Sequence, residues 1–145
     1  MRTLITLATA PAGAVGLLGP ALHVANVDRE LRFYVDGLGM KKLMQMGAPN
    51  RRETMLGFAA SPGQPGIILL DDTTASNPPA ISMGTGFDRL AMRITGLPEV
   101  VAKLRALGFT VSDVHSVTMG YSMALATDPE GYKLELVESA ARPGK

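Results

Sequence analysis

The chain has no cysteine, which removes disulfides, thiolate nucleophiles, iron–sulfur clusters and thiolate zinc sites together. It also lacks an excess of one charge. Lys and Arg number 14 against 13 Asp and Glu, and no basic run is longer than two residues, so the phosphate-neutralising stripe of a nucleic-acid binder is missing. No window approaches the ~20 apolar residues of a membrane span. The apolar stretch Thr3–Ala8 is cut short by Pro11 and is briefer than the core of a secretory leader, so residues 1–16 read as an arm ahead of the domain. These absences point to a soluble, cytoplasmic protein whose partner is a small molecule, with no nucleic acid and no membrane involved.

What is present suffices to build a core. Hydrophobic residues make up 46% of the 145 and charged residues 19%, a balance that excludes a disordered or collagen-like chain despite 16 Gly and 10 Pro. One domain fits this length. Two stretches, Leu22–Met40 and Met92–Thr110, repeat one pattern: Leu22, Val24, Val27, Leu31 and Tyr34 fall on Met92, Ile94, Leu97, Val101 and Leu104 at a constant offset of 70. In each, a strand passes through Asn26 or Gly96 into an amphipathic helix that ends at Gly39 or Gly108. Three more strands follow each helix: Lys42–Gly47, Glu53–Ala60 and Gly66–Asp71, then Thr110–Val114, Tyr121–Thr127 and Tyr132–Glu138. Turns at Ser61-Pro62-Gly63 and Asp128-Pro129-Glu130-Gly131 feed the last strand of each half. The reading is an α+β domain of two tandem βαβββ modules, residues 17–72 and 86–138, with a linker at 73–85 and a tail at 139–145. Neither module has enough core alone, so their strands are expected to form a curved mixed sheet around one concave pocket.

The run Asp128-Pro129-Glu130-Gly131-Tyr132-Lys133-Leu134-Glu135-Leu136, with Val27-Asp28-Arg29-Glu30-Leu31-Arg32-Phe33-Tyr34 and Leu38-Gly39-Met40 before it, resembles the vicinal oxygen chelate superfamily. That superfamily includes glyoxalase I, bleomycin- and fosfomycin-resistance proteins and extradiol dioxygenases. The resemblance covers residues 17–138 and implies a homodimer whose groove is completed by the second subunit. In metal-dependent members it also implies one ligand at each of four points on the first and last strands of the modules. Carried onto this chain, those points are Gly19, Leu69, Arg89 and Glu135. Only Glu135 can ligate a divalent ion, and Arg89 is a fixed cation that opposes one. Asp71, two residues beyond Leu69, sits roughly 6.5 Å away and His23, four beyond Gly19, further still, too far for a ~2.1 Å bond to the same centre. No metal and no other cofactor is expected.

Alternation turns Phe87, Arg89, Ala91 and Arg93 toward the pocket, together with Gly19, Ala21 and His23 and with Lys133, Glu135 and Val137. Glu135 and Arg89 are the candidate catalytic pair, the carboxylate as acid or base next to a carbonyl and the guanidinium as stabiliser of an enolate or carboxylate oxygen. A guanidinium held against a carboxylate makes it a poorer base, so a substrate anion has to take Arg89 over. His23, Arg93, Leu69 and Phe87 are candidate substrate-binding residues. His115, ahead of Met119-Gly120-Tyr121, is expected in a loop that, in relatives, closes over the site. The pair Arg89–Glu135 also reads as a structural ion pair. Three function classes stay open: a metal-independent lyase or isomerase, a sequestering protein of bleomycin-resistance type, and a metal-dependent glyoxalase I or extradiol dioxygenase, against which the ligand pattern argues.

Overall fold

A computed structural model of the chain describes residue 13 and residues 15–58, 63–75 and 80–140. The N-terminal arm and the C-terminal tail lie largely outside the described residues. Two mixed sheets carry the fold. The first contains β1 (Ala21–Val24), β2 (Lys41–Ala48), β3 (Arg51–Gly57) and β4 (Ile67–Asp72) in the order β1-β4-β3-β2. The second contains β5 (Leu90–Arg93), β6 (Thr110–Val111), β7 (His115–Val117), β8 (Tyr121–Thr127) and β9 (Lys133–Ser139) in the order β5-β9-β8-β6, with β7 also on β8. In each sheet the first and last strands pair in parallel, β1 on β4 and β5 on β9, and the other pairs are antiparallel. The two sheets are instances of one βαβββ plan.

The crossover of module one is α1 (Val27–Leu31), opened by Asn26, whose side chain accepts the Arg29 N–H at 3.0 Å. It continues as a π-helical turn over Arg32–Gly37. Gly39 lies one residue further from Leu22 than Gly108 lies from Met92, and the wider turn absorbs that extra residue. Phe33 and Tyr34 both become fully buried there, edge to face at 5.0 Å. The crossover of module two is α2 (Leu97–Ala106), with a Pro in its first turn and Leu97, Val101 and Leu104 buried. The two crossovers touch: a Cβ on Gly37 would meet Leu104 Cδ2 at 2.6 Å, so any larger residue there has to displace the Leu104 side chain.

One core results, drawn from the helices and from the inner faces of both sheets through Leu22, Val24, Ile67 and Leu69 on one side and Ala124, Ala126, Leu134 and Leu136 on the other. The strand expected over Thr110–Val114 breaks in two. Ser112 Oγ accepts the Leu125 N–H at 2.9 Å and replaces a ladder carbonyl, so β6 stops at Val111 and the chain rejoins β8 as β7, a fifth strand that sequence periodicity did not indicate.

Candidate functional site

The outer faces of the sheets stay open, and strand register decides what lies on them. In module one, Ala21 pairs with Ile68 and Ile68 with Met55, which faces Met44 on β2. The next row is His23, Leu70, Glu53 and Met46. In module two, Ala91 pairs with Glu135 and Glu135 with Leu125, while the neighbouring row runs Arg93, Val137, Met123, His115. His115, expected in a closing loop, therefore sits on a strand, on the same face as Glu135. Its Nδ1 lies 3.3 Å from the Asp113 carbonyl oxygen.

Leu69 does not reach this face. It pairs with Leu22, whereas Leu136 pairs with Met92, so Leu69 is the mate of Leu136, and both are completely buried against the helices. The true counterpart of Glu135 is Ile68, half-buried and one residue earlier. Four aliphatic residues in a row, Ile67 to Leu70, carry no alternation from which to read the inward side. Ile68 and Leu125 are the lining residues that sequence reasoning missed. The parallel register between first and last strands was the signal that locates Ile68.

At the head of β5, Arg89 Nε donates to Glu135 Oε2 at 2.6 Å, and Arg89 Nη1 also pairs with Asp88. The hydrogen bonds to Glu135, first, and to Asp88 raise the Arg89 guanidinium above its ordinary value, so it is a permanent cation. Glu135 is 18% exposed in its side chain and Arg89 46%, an anion sheltered by Ala91 and Leu125 beside a cation open to solvent. Arg93 and Lys133 lie on the same face, both exposed. Three cations against the two carboxylates Glu135 and Asp88 leave the cluster net positive, which favours an anionic visitor.

The remaining expected residues gather at the other side of Arg89. Phe87 stacks edge to face on Tyr132 at 6.0 Å, and Tyr132 Oη donates to the His23 carbonyl at 3.0 Å. His23 itself is exposed and lines a cavity of about 410 Å³ with Leu70, Ile81, Ser82 and Tyr132. At the opposite end, Pro20 and Gly66 share a cavity of about 800 Å³ with Arg93 and Thr95. The His23 end of β1 thus lies by Tyr132 and Phe87 of module two, and the Pro20 end lies by Arg93 and Thr95.

A model of the Glyoxalase/Bleomycin resistance protein/Dioxygenase superfamily matches residues 16–136. The chain belongs to this superfamily. Among its relatives, a probable lactoylglutathione lyase of Synechocystis sp. is 27% identical over 131 residues, covering 87% of this chain and 97% of that protein. A probable chloroplastic lactoylglutathione lyase of Arabidopsis thaliana is also 27% identical, and there the match covers 88% of this chain but only 37% of the longer plant protein. Among solved structures, glyoxalase I from Zea mays superposes with a TM-score of 0.75 at 25% identity, over 88% of this chain and 46% of that one.

The superfamily's metal-dependent members set a test for this site, and the residues here do not fit a divalent ion. Gly19 offers no side chain, and a Cβ there would run into the Gly66 carbonyl oxygen. Ile68 has no donor atom, Arg89 is a cation, and Glu135 accepts from Arg89. Among the described residues, no three of His, Asp and Glu are grouped as ligands.

Proposed function

We propose that this superfamily member binds a small organic molecule bearing a carbonyl or carboxylate on the open face of module two, without a metal, and that Glu135 moves a proton at the carbon next to that carbonyl. The observation that carries the proposal is the Arg89–Glu135 contact at 2.6 Å, set among Ala91, Leu125, Arg93 and Lys133. An arriving anion takes Arg89 over. Glu135, released from its partner and shielded on both flanks by apolar side chains, then stands free to accept a proton, while the guanidinium holds the developing oxyanion. His23, Phe87 and Arg93 contribute to substrate contact, and His115 lies within the same face for the far end of a longer ligand. The relatives named lactoylglutathione lyase support lyase chemistry at this place in the fold.

Module one's half of the groove, with Ile68, Met55 and Met44, is open as well. A two-fold homodimer that sets module one of one copy over module two of the other completes the groove. Light scattering giving a mass near the 15.3 kDa of a single chain would refute that arrangement. Location in the cytoplasm fits the absence of cysteine; no helix among the described residues is long and apolar enough to cross a membrane.

The test is proton exchange. Small α-keto acids and α-hydroxy ketones are incubated with the protein in deuterated water, and loss of the α-proton is followed by NMR, with binding measured in parallel by thermal shift. Glu135→Gln retains binding and loses exchange if the proposal holds. Exchange that survives the substitution removes Glu135 from the chemistry. A second reading, sequestration without turnover, is favoured by the ion pair itself, which holds Glu135 engaged; its signature is binding by the wild type with no exchange of any bound compound.

A further inference from the structure

Glu30 lies on α1 in module one, and its side chain is completely buried. Among the described residues neither of its oxygens has a hydrogen-bond partner, and the nearby Glu130 N–H donates to Asp128 instead. It is turned toward the Asp128–Tyr132 turn of module two, where Asp128 is 4% exposed and Glu130 adds another negative charge. The neighbouring cation gives it no relief, because Arg29 commits its guanidinium to the Pro129 carbonyl at 3.0 Å. Asp128 is placed very differently. Its Oδ2 accepts from Tyr34 Oη at 2.8 Å, and its Oδ1 accepts the N–H groups of Glu130 at 3.0 Å and Tyr132 at 2.8 Å. Three donors are committed to Asp128, the Glu130 N–H among them, and this decides which of the two carries the charge. An ionised Glu30 is a buried charge facing another of the same sign. A protonated Glu30 becomes a donor, and Asp128 is there to accept.

We propose that Glu30 is a proton-carrying clasp between the modules: as a neutral acid it donates to Asp128 and locks the Asp128–Tyr132 turn onto α1, and loss of that proton in alkaline solution opens the seam. The turn holds more than itself. Glu130 Oε1 accepts the N–H groups of Ala25 at 2.9 Å and Asn26 at 3.1 Å, and Tyr132 reaches the His23 carbonyl and the Phe87 ring. Opening the clasp therefore loosens the end of β1 and the wall beside Arg89. Among the described residues the titratable groups facing Glu30 are Asp128, Glu130, Tyr34 and Tyr132, with Arg29 turned to the Pro129 carbonyl.

Burial, and after it repulsion by Asp128, pushes the Glu30 carboxyl from 4.5 up to about 9. The folded chain thus keeps a proton that the unfolded chain releases above about 4.5, so the clasp's contribution is complete below that pH, falls as pH rises, and is gone above about 9. The folding equilibrium shifts by about tenfold per pH unit inside this window.

The experiment compares the thermal midpoint of the full chain with that of Glu30→Gln from about pH 5 to about pH 10. The glutamine amide donates to Asp128 without titrating. The wild-type midpoint is expected to fall through the window while that of the variant stays level. Parallel curves, or a level wild type, overturn the proposal. Should the variant fail to fold, side-chain carbon NMR of the wild type decides: a Glu30 carboxyl at its neutral-acid shift near pH 7 supports the clasp, and a carboxylate shift there refutes it.

Discussion

At equivalent places on their open faces the two modules carry different chemistry. Module one presents Ala21 and Ile68, with Gly19 at the strand entrance; module two presents Ala91 and Glu135, with Arg89 at its entrance. The backbones follow one plan, down to the parallel pairing of first and last strands, so the contrast comes from side chains alone. It also differs in kind. In module one the entrance glycine is imposed by packing, since β4 begins so close that Gly66 leaves no space for a Cβ and Gly19 has φ 136°. In module two a long cation, Arg89, lies across the entrance to the sheltered carboxylate of Glu135. Chemistry is concentrated where packing leaves freedom.

The comparison breaks most visibly at Glu135. Glu135→Gln is expected to lower α-proton exchange by roughly two to four orders of magnitude, whereas Ile68→Gln, its counterpart in module one, leaves the rate within a few-fold; steady-state exchange on both variants checks this. A similar contrast separates neighbours within β4. Leu69→Ala, in the core, costs about 2–5 kcal/mol, and Ile68→Ala, on the open face, costs under ~1.5 kcal/mol; urea unfolding distinguishes them, and equal losses would show that the parallel register is misplaced by one residue. At the entrances, Gly19→Ala is expected to destabilise by about 1–3 kcal/mol through backbone conformation and by more if β4 is displaced. Arg89→Ala leaves the fold intact and removes anion binding, which thermal melts with and without an α-keto acid would reveal. The smallest effect lies at the helix starts: Asn26→Ala removes a side-chain cap and costs about 1 kcal/mol, whereas Gly96, left-handed at φ 72° with no side-chain cap of its own, has its N–H and that of Leu97 held by Glu138. Chemical denaturation of Asn26→Ala and Glu138→Gln measures whether the two capping schemes are equivalent.

Much of the architecture was legible because it is local. The offset of 70 between Leu22–Tyr34 and Met92–Leu104, the glycines that end both crossovers and the Asp128–Tyr132 turn all express periodicity and turn chemistry within a few residues. The pairing of Arg89 with Glu135 was readable for the same reason, since alternation along β5 and β9 places both on one face. The inward side of β4 was not readable. Ile67 to Leu70 lack alternation, and matching that strand to β9 by composition misplaced it by one residue, enough to exchange Leu69 for Ile68. Nor could β7 be anticipated, because its existence depends on one serine hydroxyl replacing a backbone carbonyl against Leu125.

The sequence by itself determined the duplication, the order of elements in each module and the residue types available to the site, because these follow from the spacing of apolar residues and from where glycine and proline interrupt it. Only the tertiary structure decided that the Pro20 end of β1 lies by Arg93 and its His23 end by Tyr132, and that Glu30 is sealed against Asp128. The reason is physical. Strand neighbours and the environment of a buried charge are set by contacts between residues a hundred positions apart, and no local pattern encodes which edge meets which.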